Sequence, residues 1–227
     1  MRAVLFDMDG TLVDSEKLWD ISLAALYDHH GGRLTPQVRA SMVGGSAEDT
    51  IRTVFTDLGL EPDPVAMAES DRWLHAYTAE LFEGGLPWCP GARELLEALA
   101  AEGTPMALVT NTQRELTERA LKSIGEEYFS ATVCGDEVPQ GKPAPDVYQR
   151  AAAMLGLEPS ACLAIEDSAT GTAAAESAGC PVLVVPNDVH VPAGRRRVQM
   201  SSLAGVGVDD LRRVYDNFSR NTGERSA

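Results

Sequence analysis

Two carboxylates, Asp7 and Asp9, are separated by one residue directly after an apolar run near the amino terminus. The run covers residues 3–6 and has the composition of a buried strand, and Gly10 follows the two acids. This pattern predicts that both acids lie in the turn after a strand. At the carboxyl end of a strand in an α/β sheet, such a pair can bind a divalent cation or divide nucleophile and acid functions between its members.

Two other kinds of structure share parts of this motif. A calcium loop begins similarly, but its oxygen ligands continue at alternate positions, whereas Thr11, Leu12 and Val13 follow Gly10 here. A solvated turn also favours aspartate, and the motif alone leaves that interpretation open.

The composition limits the classes of partner. The 227 residues include 34 Asp and Glu against 19 Lys and Arg, a formal net charge of −15, which argues against nucleic acid as a partner. The cysteines and histidines lack the spacing of a metal site or a disulfide scaffold. No apolar stretch is long enough to span a membrane, and the first strand leaves no room for a signal peptide, so we expect a cytoplasmic protein without a membrane partner.

Hydrophobic periodicity divides the chain into two parts. Residues from about 15 to 82 predict helices only, including one that begins after the N-cap Ser46 and ends at Gly59. Beyond Gly84 the pattern alternates, with strands predicted at 105–110, 131–134, 161–166 and 182–185. We therefore predict a doubly wound, Rossmann-like parallel α/β core (1–15 and 85–220), an inserted helical cap domain (16–84) and a polar tail (221–227).

Three later motifs fall at predicted strand ends or in adjoining loops: Thr110 with Asn111, Lys142 within Gly-Lys-Pro, and Glu166 with Asp167. Together with the first acid pair they could hold a phosphoryl group and magnesium, because carboxylates suit Mg²⁺ and a lysine supplies compensating charge. Structural alternatives remain open. Thr110 could cap the next helix, Lys142 could be a surface lysine, and Glu166 could support the site without binding metal directly. Residues 195–197, three arginines, are interpreted as a solvated loop.

The chain resembles the haloacid dehalogenase superfamily of phosphohydrolases over nearly its whole length, and most of all its sugar-phosphatase and β-phosphoglucomutase branch. The helical block is similar to the family's cap, and the resemblance implies that the three motif-bearing strands lie side by side. It rests on four motifs in the family's order: Asp7-x-Asp9-Gly10-Thr11, Thr110, Lys142 in Gly-Lys-Pro, and Glu166-Asp167-Ser168.

The resemblance implies a role for each motif. Asp7 would attack phosphorus and become an aspartyl phosphate, and Asp9 would act as the acid and base. Thr110, Lys142 and Asn111 would bind the phosphoryl oxygens.

The same resemblance implies a magnesium site. Mg²⁺ would bind Asp7, the backbone carbonyl of Asp9 and Asp167. Glu166 would lie nearby and would bind the metal directly or through water.

Because Asp9 can protonate an alkoxide leaving group, phosphorus chemistry is favoured over dehalogenation.

The cap segment favours a phosphatase over a phosphosugar mutase. Val43 and Ala47 occupy positions where the mutases carry a lysine and an arginine, and Trp19 replaces a histidine. A bisphosphate intermediate needs cationic groups at both ends. We therefore expect a magnesium-dependent phosphatase that acts on a small phosphorylated metabolite, with sugar phosphates as the expected substrates and a monomeric or weakly dimeric state.

Two alternatives remain besides the phosphatase. One is the mutase. The other, of a different class, is a receiver-like or phosphate-binding module, against which the shared turn of Asp7 and Asp9 and the large helical insertion argue. The physiological substrate is not readable from the sequence, because one fold carries many substrates.

Overall fold

The structure is a computed structural model that describes residues 1–42, 46–186 and 190–223. Within these residues, six strands form one sheet in the order β3-β2-β1-β4-β5-β6, and every neighbouring pair is parallel. The doubly wound α/β class is therefore confirmed. The strands are β1 (Ala3–Phe6), β2 (Met106–Val109), β3 (Ala131–Val133), β4 (Cys162–Glu166), β5 (Val182–Val184) and β6 (Arg197–Gln199).

Helices cover both faces of the sheet. Along β1 the side chains alternate, so that Val4 and Phe6 belong to one apolar cluster and Ala3 and Leu5 to the other. The first cluster includes α5 (Ala92–Ala101), α6 (Arg114–Ile124) and α9 (Val208–Gly223), and the second includes α7 (Asp146–Met154) and α8 (Ala169–Ala178). This packing fixes the sheet and leaves its carboxyl edge to carry polar side chains.

Residues 16–84, which we call the helical insertion, lie between β1 and β2. They form α1 (Glu16–His29), α2 (Pro36–Met42), α3 (Ala47–Leu58) and α4 (Pro64–Phe82). The insertion has an apolar cluster of its own, in which Leu26 and Val54 are fully buried. Helix α3 has the predicted ends: the Ser46 hydroxyl accepts a hydrogen bond from the Asp49 amide at 3.2 Å, and Gly59 has a φ of 64°. The division into cap and core domains stays a prediction.

Strand β6 and helix α9 were not predicted. Arg197 begins β6 opposite Val182 and forms an ion pair with Glu176, so the interpretation of residues 195–197 as a solvated loop is wrong for Arg197. Its side chain is largely buried and its backbone extends the sheet. Helix α9 continues to Gly223, into the segment 221–227 that is predicted to be a polar tail, and residues 224–227 lie outside the described residues. The polar tail stays a prediction.

No described helix has both the length and the apolar composition needed to cross a membrane. The cytoplasmic location and the monomeric or weakly dimeric state stay predictions.

Candidate active site

The predicted site residues meet at the carboxyl edge of three adjacent strands. Asp7 directly follows β1, Thr110 follows β2, and Asp167 follows β4. Because β2, β1 and β4 are neighbours and run parallel, their ends bring the three side chains together. Lys142 comes to the same place from the loop before α7, and all four residues are buried.

Both oxygens of the Asp7 carboxylate accept hydrogen bonds. Lys142 Nζ donates to Oδ1 at 2.5 Å, and the Thr11 hydroxyl donates to Oδ2 at 2.9 Å. Burial and then the charge of Glu166 raise the pKa of Asp7 to about 7, although Lys142 acts in the opposite direction. The two hydrogen bonds therefore fix the orientation of the carboxylate, and the positive charge of Lys142 only partly compensates the negative charge around it.

Lys142 is fixed by contacts at both its side chain and its backbone. Its Nζ also donates to Glu166 Oε1 at 2.7 Å. Burial alone would lower the pKa of Lys142, but Asp7 and Glu166 outweigh it and hold the pKa above its usual range. The Asn111 side chain bonds the Lys142 backbone twice, accepting from its amide at 2.7 Å and donating to its carbonyl at 3.1 Å. Lys142 is therefore not a surface lysine, and Asn111 positions its loop.

Glu166 is completely buried and saturated with protein donors. Its Oε1 accepts from Lys142 and from the Tyr148 hydroxyl at 2.6 Å, and its Oε2 accepts from the Ser168 hydroxyl at 3.2 Å. A Cβ on Gly171 would lie 2.0 Å from Oε1, so only glycine at this position of α8 admits the carboxylate. These contacts favour the supporting role for Glu166 over direct metal binding.

Among the described residues, carboxylate oxygens of Asp7, Glu166 and Asp167 lie within 4.8 Å of one another. The donors are all oxygen atoms, which suits Mg²⁺. Three buried carboxylates stand against the single ammonium group of Lys142, and Glu166 raises the pKa of Asp7. The residues therefore fit a divalent cation, which would compensate the excess negative charge. The Asp9 side chain is not part of this cluster. The atom of Asp9 that is predicted to bind the metal is its backbone carbonyl oxygen.

Four side chains donate to the Asp9 carboxylate. Ser15 and the Trp19 indole donate to Oδ1 at 2.5 and 3.4 Å, and Thr112 and Thr110 donate to Oδ2 at 2.7 and 3.2 Å. Thr110 does not cap α6, which begins after residue 113, so that alternative is wrong. The network orients Asp9 from both the strand ends and the helical insertion.

A cavity of about 100 Å³ lies over these groups, and residues of the helical insertion line part of it. Trp19 lines the cavity, and its ring makes an edge-type contact with the ring of Phe82. Ala47 lines the cavity, as the comparison with the mutases led us to expect, and Val43 lies outside the described residues.

Several residues of the site were not predicted from the sequence. Thr112 and Ser15 are close in sequence to strand-end motifs, which is the signal that could have found them. Tyr148 lies within α7 without any local signal. Arg39 and His75, both from the helical insertion, line the cavity, whereas sequence analysis assigned no cationic group there.

Comparisons with known proteins agree with this geometry. The sequence model of the family described as haloacid dehalogenase-like hydrolase matches residues 4–185. The chain is 33% identical to a probable pseudouridine-5'-phosphatase of Drosophila melanogaster, over 81% of this chain and 80% of that protein. It is 32% identical to a phosphorylated carbohydrates phosphatase of Thermotoga maritima, over 79% and 82% of the two chains. The crystal structure of CbbY from Rhodobacter sphaeroides in complex with phosphate superposes with a TM-score of 0.84 at 26% identity, covering 93% of this chain and 99% of that one.

Proposed function

The chain belongs to the haloacid dehalogenase-like hydrolases as an enzyme of the phosphatase type, and we propose that it hydrolyses small phosphate monoesters, sugar phosphates among them, with magnesium as cofactor. The observation that carries the proposal is the convergence of Asp7, Lys142 and Asp167 at the ends of adjacent elements. Relatives that act on phosphorylated carbohydrates and nucleosides support this substrate class.

Asp7 is the proposed nucleophile. Its carboxylate attacks phosphorus, the bond to the leaving oxygen breaks, and an aspartyl phosphate forms. Lys142 lies 2.5 Å from this carboxylate and supplies positive charge where the phosphoryl oxygens arrive. The Thr110 hydroxyl lies at the same strand edge. It donates to Asp9 in this structure, and in the proposed mechanism it turns to donate to a second phosphoryl oxygen when the substrate binds.

Asp9 is the proposed acid and base. It protonates the leaving alkoxide in the first half-reaction and takes a proton from the attacking water in the second. The bonds from Ser15 and Thr112 support this role because they hold the carboxyl group in one orientation through both steps.

Magnesium would be held by Asp7, Asp167 and the backbone carbonyl of Asp9. When bound, it neutralises negative charge on the phosphoryl oxygens. Glu166 acts as a positioning residue, since it bonds Lys142 at 2.7 Å and keeps its ammonium group directed at Asp7.

The test is phosphate release by the purified protein from a panel of phosphorylated sugars, nucleotides and short organic phosphates. Release should require magnesium, stop on chelation and return when magnesium is restored. Asp7→Asn should remove it, whereas Glu69→Gln, an exposed carboxylate of α4, should leave it unchanged. Undiminished release after removal of all divalent ions would contradict the proposed metal cluster.

A separate assay distinguishes the phosphatase from the mutase. We expect β-glucose 1-phosphate, supplied with magnesium and a trace of the 1,6-bisphosphate, to yield free phosphate if it is turned over at all. Ala47 supports this expectation at the position where the resemblance to the mutases places their arginine, and the assay also tests whether Arg39 and His75, the basic side chains of the same cavity, replace that arginine. Efficient formation of glucose 6-phosphate without matching phosphate would establish a mutase. Family membership argues against a receiver-like module, which would retain one phosphate per chain instead of releasing many.

A further inference from the structure

Tyr148 takes no part in the proposed reaction, yet it is bonded to the centre of the site. It is the third residue of α7 and is completely buried. Its hydroxyl donates to Glu166 Oε1 at 2.6 Å, and Lys142 Nζ lies 5.4 Å from the centre of its ring. Within the described part of the chain, Glu166 is the only partner of this hydroxyl. The phenol therefore depends on Glu166 for its hydrogen bond.

Glu166 is close enough to the proposed metal position to become a ligand. One of its carboxylate oxygens lies within 4.8 Å of carboxylate oxygens of Asp7 and Asp167. Its hydrogen bonds direct it elsewhere, because Oε1 accepts from both Lys142 and Tyr148, which occupies the two lone pairs of that oxygen. The donors around Glu166, and not its distance, therefore decide whether it binds the metal.

Moving Glu166 onto the metal would break its bond to Tyr148. The hydroxyl would then be buried without a partner, which is unfavourable because burial has also removed it from water. The ring favours the present arrangement as well, since an ammonium group within about 6 Å of an aromatic ring is attracted to its face, and Lys142 lies at 5.4 Å. Both parts of the Tyr148 side chain thus keep Lys142 and Glu166 together.

We propose that Tyr148 is a positioning residue that keeps Glu166 as the counter-ion of Lys142 and away from the metal, and that it thereby favours Mg²⁺ over the larger Ca²⁺. This inference rests on the proposed magnesium-dependent phosphatase function. With Glu166 held, the side-chain ligands are Asp7 and Asp167, which suits Mg²⁺, because this ion binds through one or two carboxylates and keeps several waters. Ca²⁺ takes about six to eight oxygen ligands, so it gains more than Mg²⁺ from a further carboxylate.

The experiment measures the binding of Mg²⁺ and of Ca²⁺, each alone and without substrate, by titration calorimetry. Tyr148→Phe keeps the ring and lacks the hydroxyl, so Glu166 can turn to the metal without leaving a buried donor unpaired. We expect the affinity for Ca²⁺ to rise relative to that for Mg²⁺ by about tenfold or more. The matched control Tyr27→Phe removes the 3.1 Å bond from another buried tyrosine to a carboxylate, that of Asp57 in the helical insertion, and should keep the wild-type ratio.

Steady-state kinetics with magnesium test the effect on Lys142. When Glu166 turns away, Lys142 is held less firmly where the phosphoryl oxygens arrive, so kcat of Tyr148→Phe should fall by about tenfold with KM little changed. The binding stoichiometry from calorimetry gives the folded fraction, and kcat is corrected for it. A merely structural role would leave both the corrected kcat and the ratio of the two metal affinities unchanged.

Glu166→Gln separates an action through Glu166 from a general effect. Because a neutral amide is a poorer ligand than a carboxylate for either cation, adding Tyr148→Phe to Glu166→Gln should change the affinity ratio little. Glu166→Gln by itself should keep the wild-type ratio, and this measurement does not depend on the folding of Tyr148→Phe. A marked loss of Ca²⁺ affinity relative to Mg²⁺ in Glu166→Gln would show that Glu166 already binds the metal, and the proposal would be wrong.

The outcomes separate this proposal from the proposed function. A wild type that binds neither cation and releases no phosphate with magnesium would refute both. If the wild type binds Mg²⁺ and releases phosphate, the proposed function stands. The role of Tyr148 alone is then refuted if Tyr148→Phe keeps the wild-type affinity ratio, or if its shift persists in the Glu166→Gln background.

Discussion

Replacing Asp7 by asparagine should stabilise the metal-free protein while abolishing its activity. In the folded chain, burial and the charge of Glu166 raise the pKa of Asp7 from 3.8 to about 7. Between these values the folded state keeps a proton that the unfolded state has released, so the wild type loses stability as pH rises through this window. Asparagine imitates the protonated carboxyl group and avoids this loss.

The magnitude follows from the shift. A tenfold change in an equilibrium corresponds to about 1.4 kcal/mol, so a carboxyl group whose pKa is 3.8 in the unfolded chain and about 7 in the folded one should make Asp7→Asn more stable than wild type by about 4 kcal/mol at pH 8. At pH 5 most of this difference is absent, because Asp7 is protonated in the wild-type fold. The advantage of the variant should therefore widen by about 3 kcal/mol between pH 5 and pH 8.

Urea denaturation in the presence of a chelator, at pH 5, 6, 7 and 8, measures this difference. Glu69→Gln is the matched control, because it removes one exposed carboxylate and should show a small difference from wild type that does not change with pH. Added magnesium should stabilise the wild type more than Asp7→Asn, since the variant lacks a charged ligand. A variant less stable than wild type at pH 8 without metal, or an advantage independent of pH, would refute this account of the cluster.

Three further variants test the parts of the site. Asp9→Asn should slow turnover of alkyl phosphates by about 10²–10⁴-fold. A substrate with an acidic phenol as leaving group should restore the first half-reaction in this variant but not in Asp7→Asn, and equal rescue would mean that the two roles are exchanged. Thr112→Val removes the 2.7 Å bond to Asp9 and should lower kcat by about tenfold with KM little changed, measured by steady-state kinetics; a change in KM alone would contradict a positioning role. Gly171→Ala should lower the free energy of unfolding by about 1–3 kcal/mol, measured by thermal or urea denaturation, because its Cβ would lie 2.0 Å from the Glu166 carboxylate. An unaltered unfolding midpoint would show that the carboxylate can move without cost.

The strands that carry the chemistry were predictable because they are short, buried apolar runs that end in polar residues. Residues 3–6, 106–109 and 162–166 have this pattern, and the structure assigns strands there with boundaries shifted by one residue or less. Strand β6 was missed for the opposite reason. Its sequence, Arg-Val-Gln, has no apolar run, and it is a strand because its backbone pairs with β5. A strand that forms because a neighbouring strand offers it backbone hydrogen bonds cannot be recognised from the hydrophobic pattern of its own residues.

The sequence by itself determined which residue types stand at the strand ends, and therefore the acid pair, the hydroxyl group and the lysine of the site. Their order also carried the resemblance to the family. Only the tertiary structure decided what each group contacts. Tyr148 reaches Glu166 from α7, and Thr112 reaches Asp9 across 103 residues of chain.

The same holds for the cavity wall, where Arg39 and His75 come from two helices with no shared motif. The spacing of apolar residues along a helix indicates which face of the helix is buried, because residues three or four positions apart in the sequence lie on the same face. It does not report which buried or half-buried side chains meet across elements. That depends on how the helices of the insertion pack over the sheet edge, and this packing brings the two basic side chains into the same cavity as Lys142 and the acid pair.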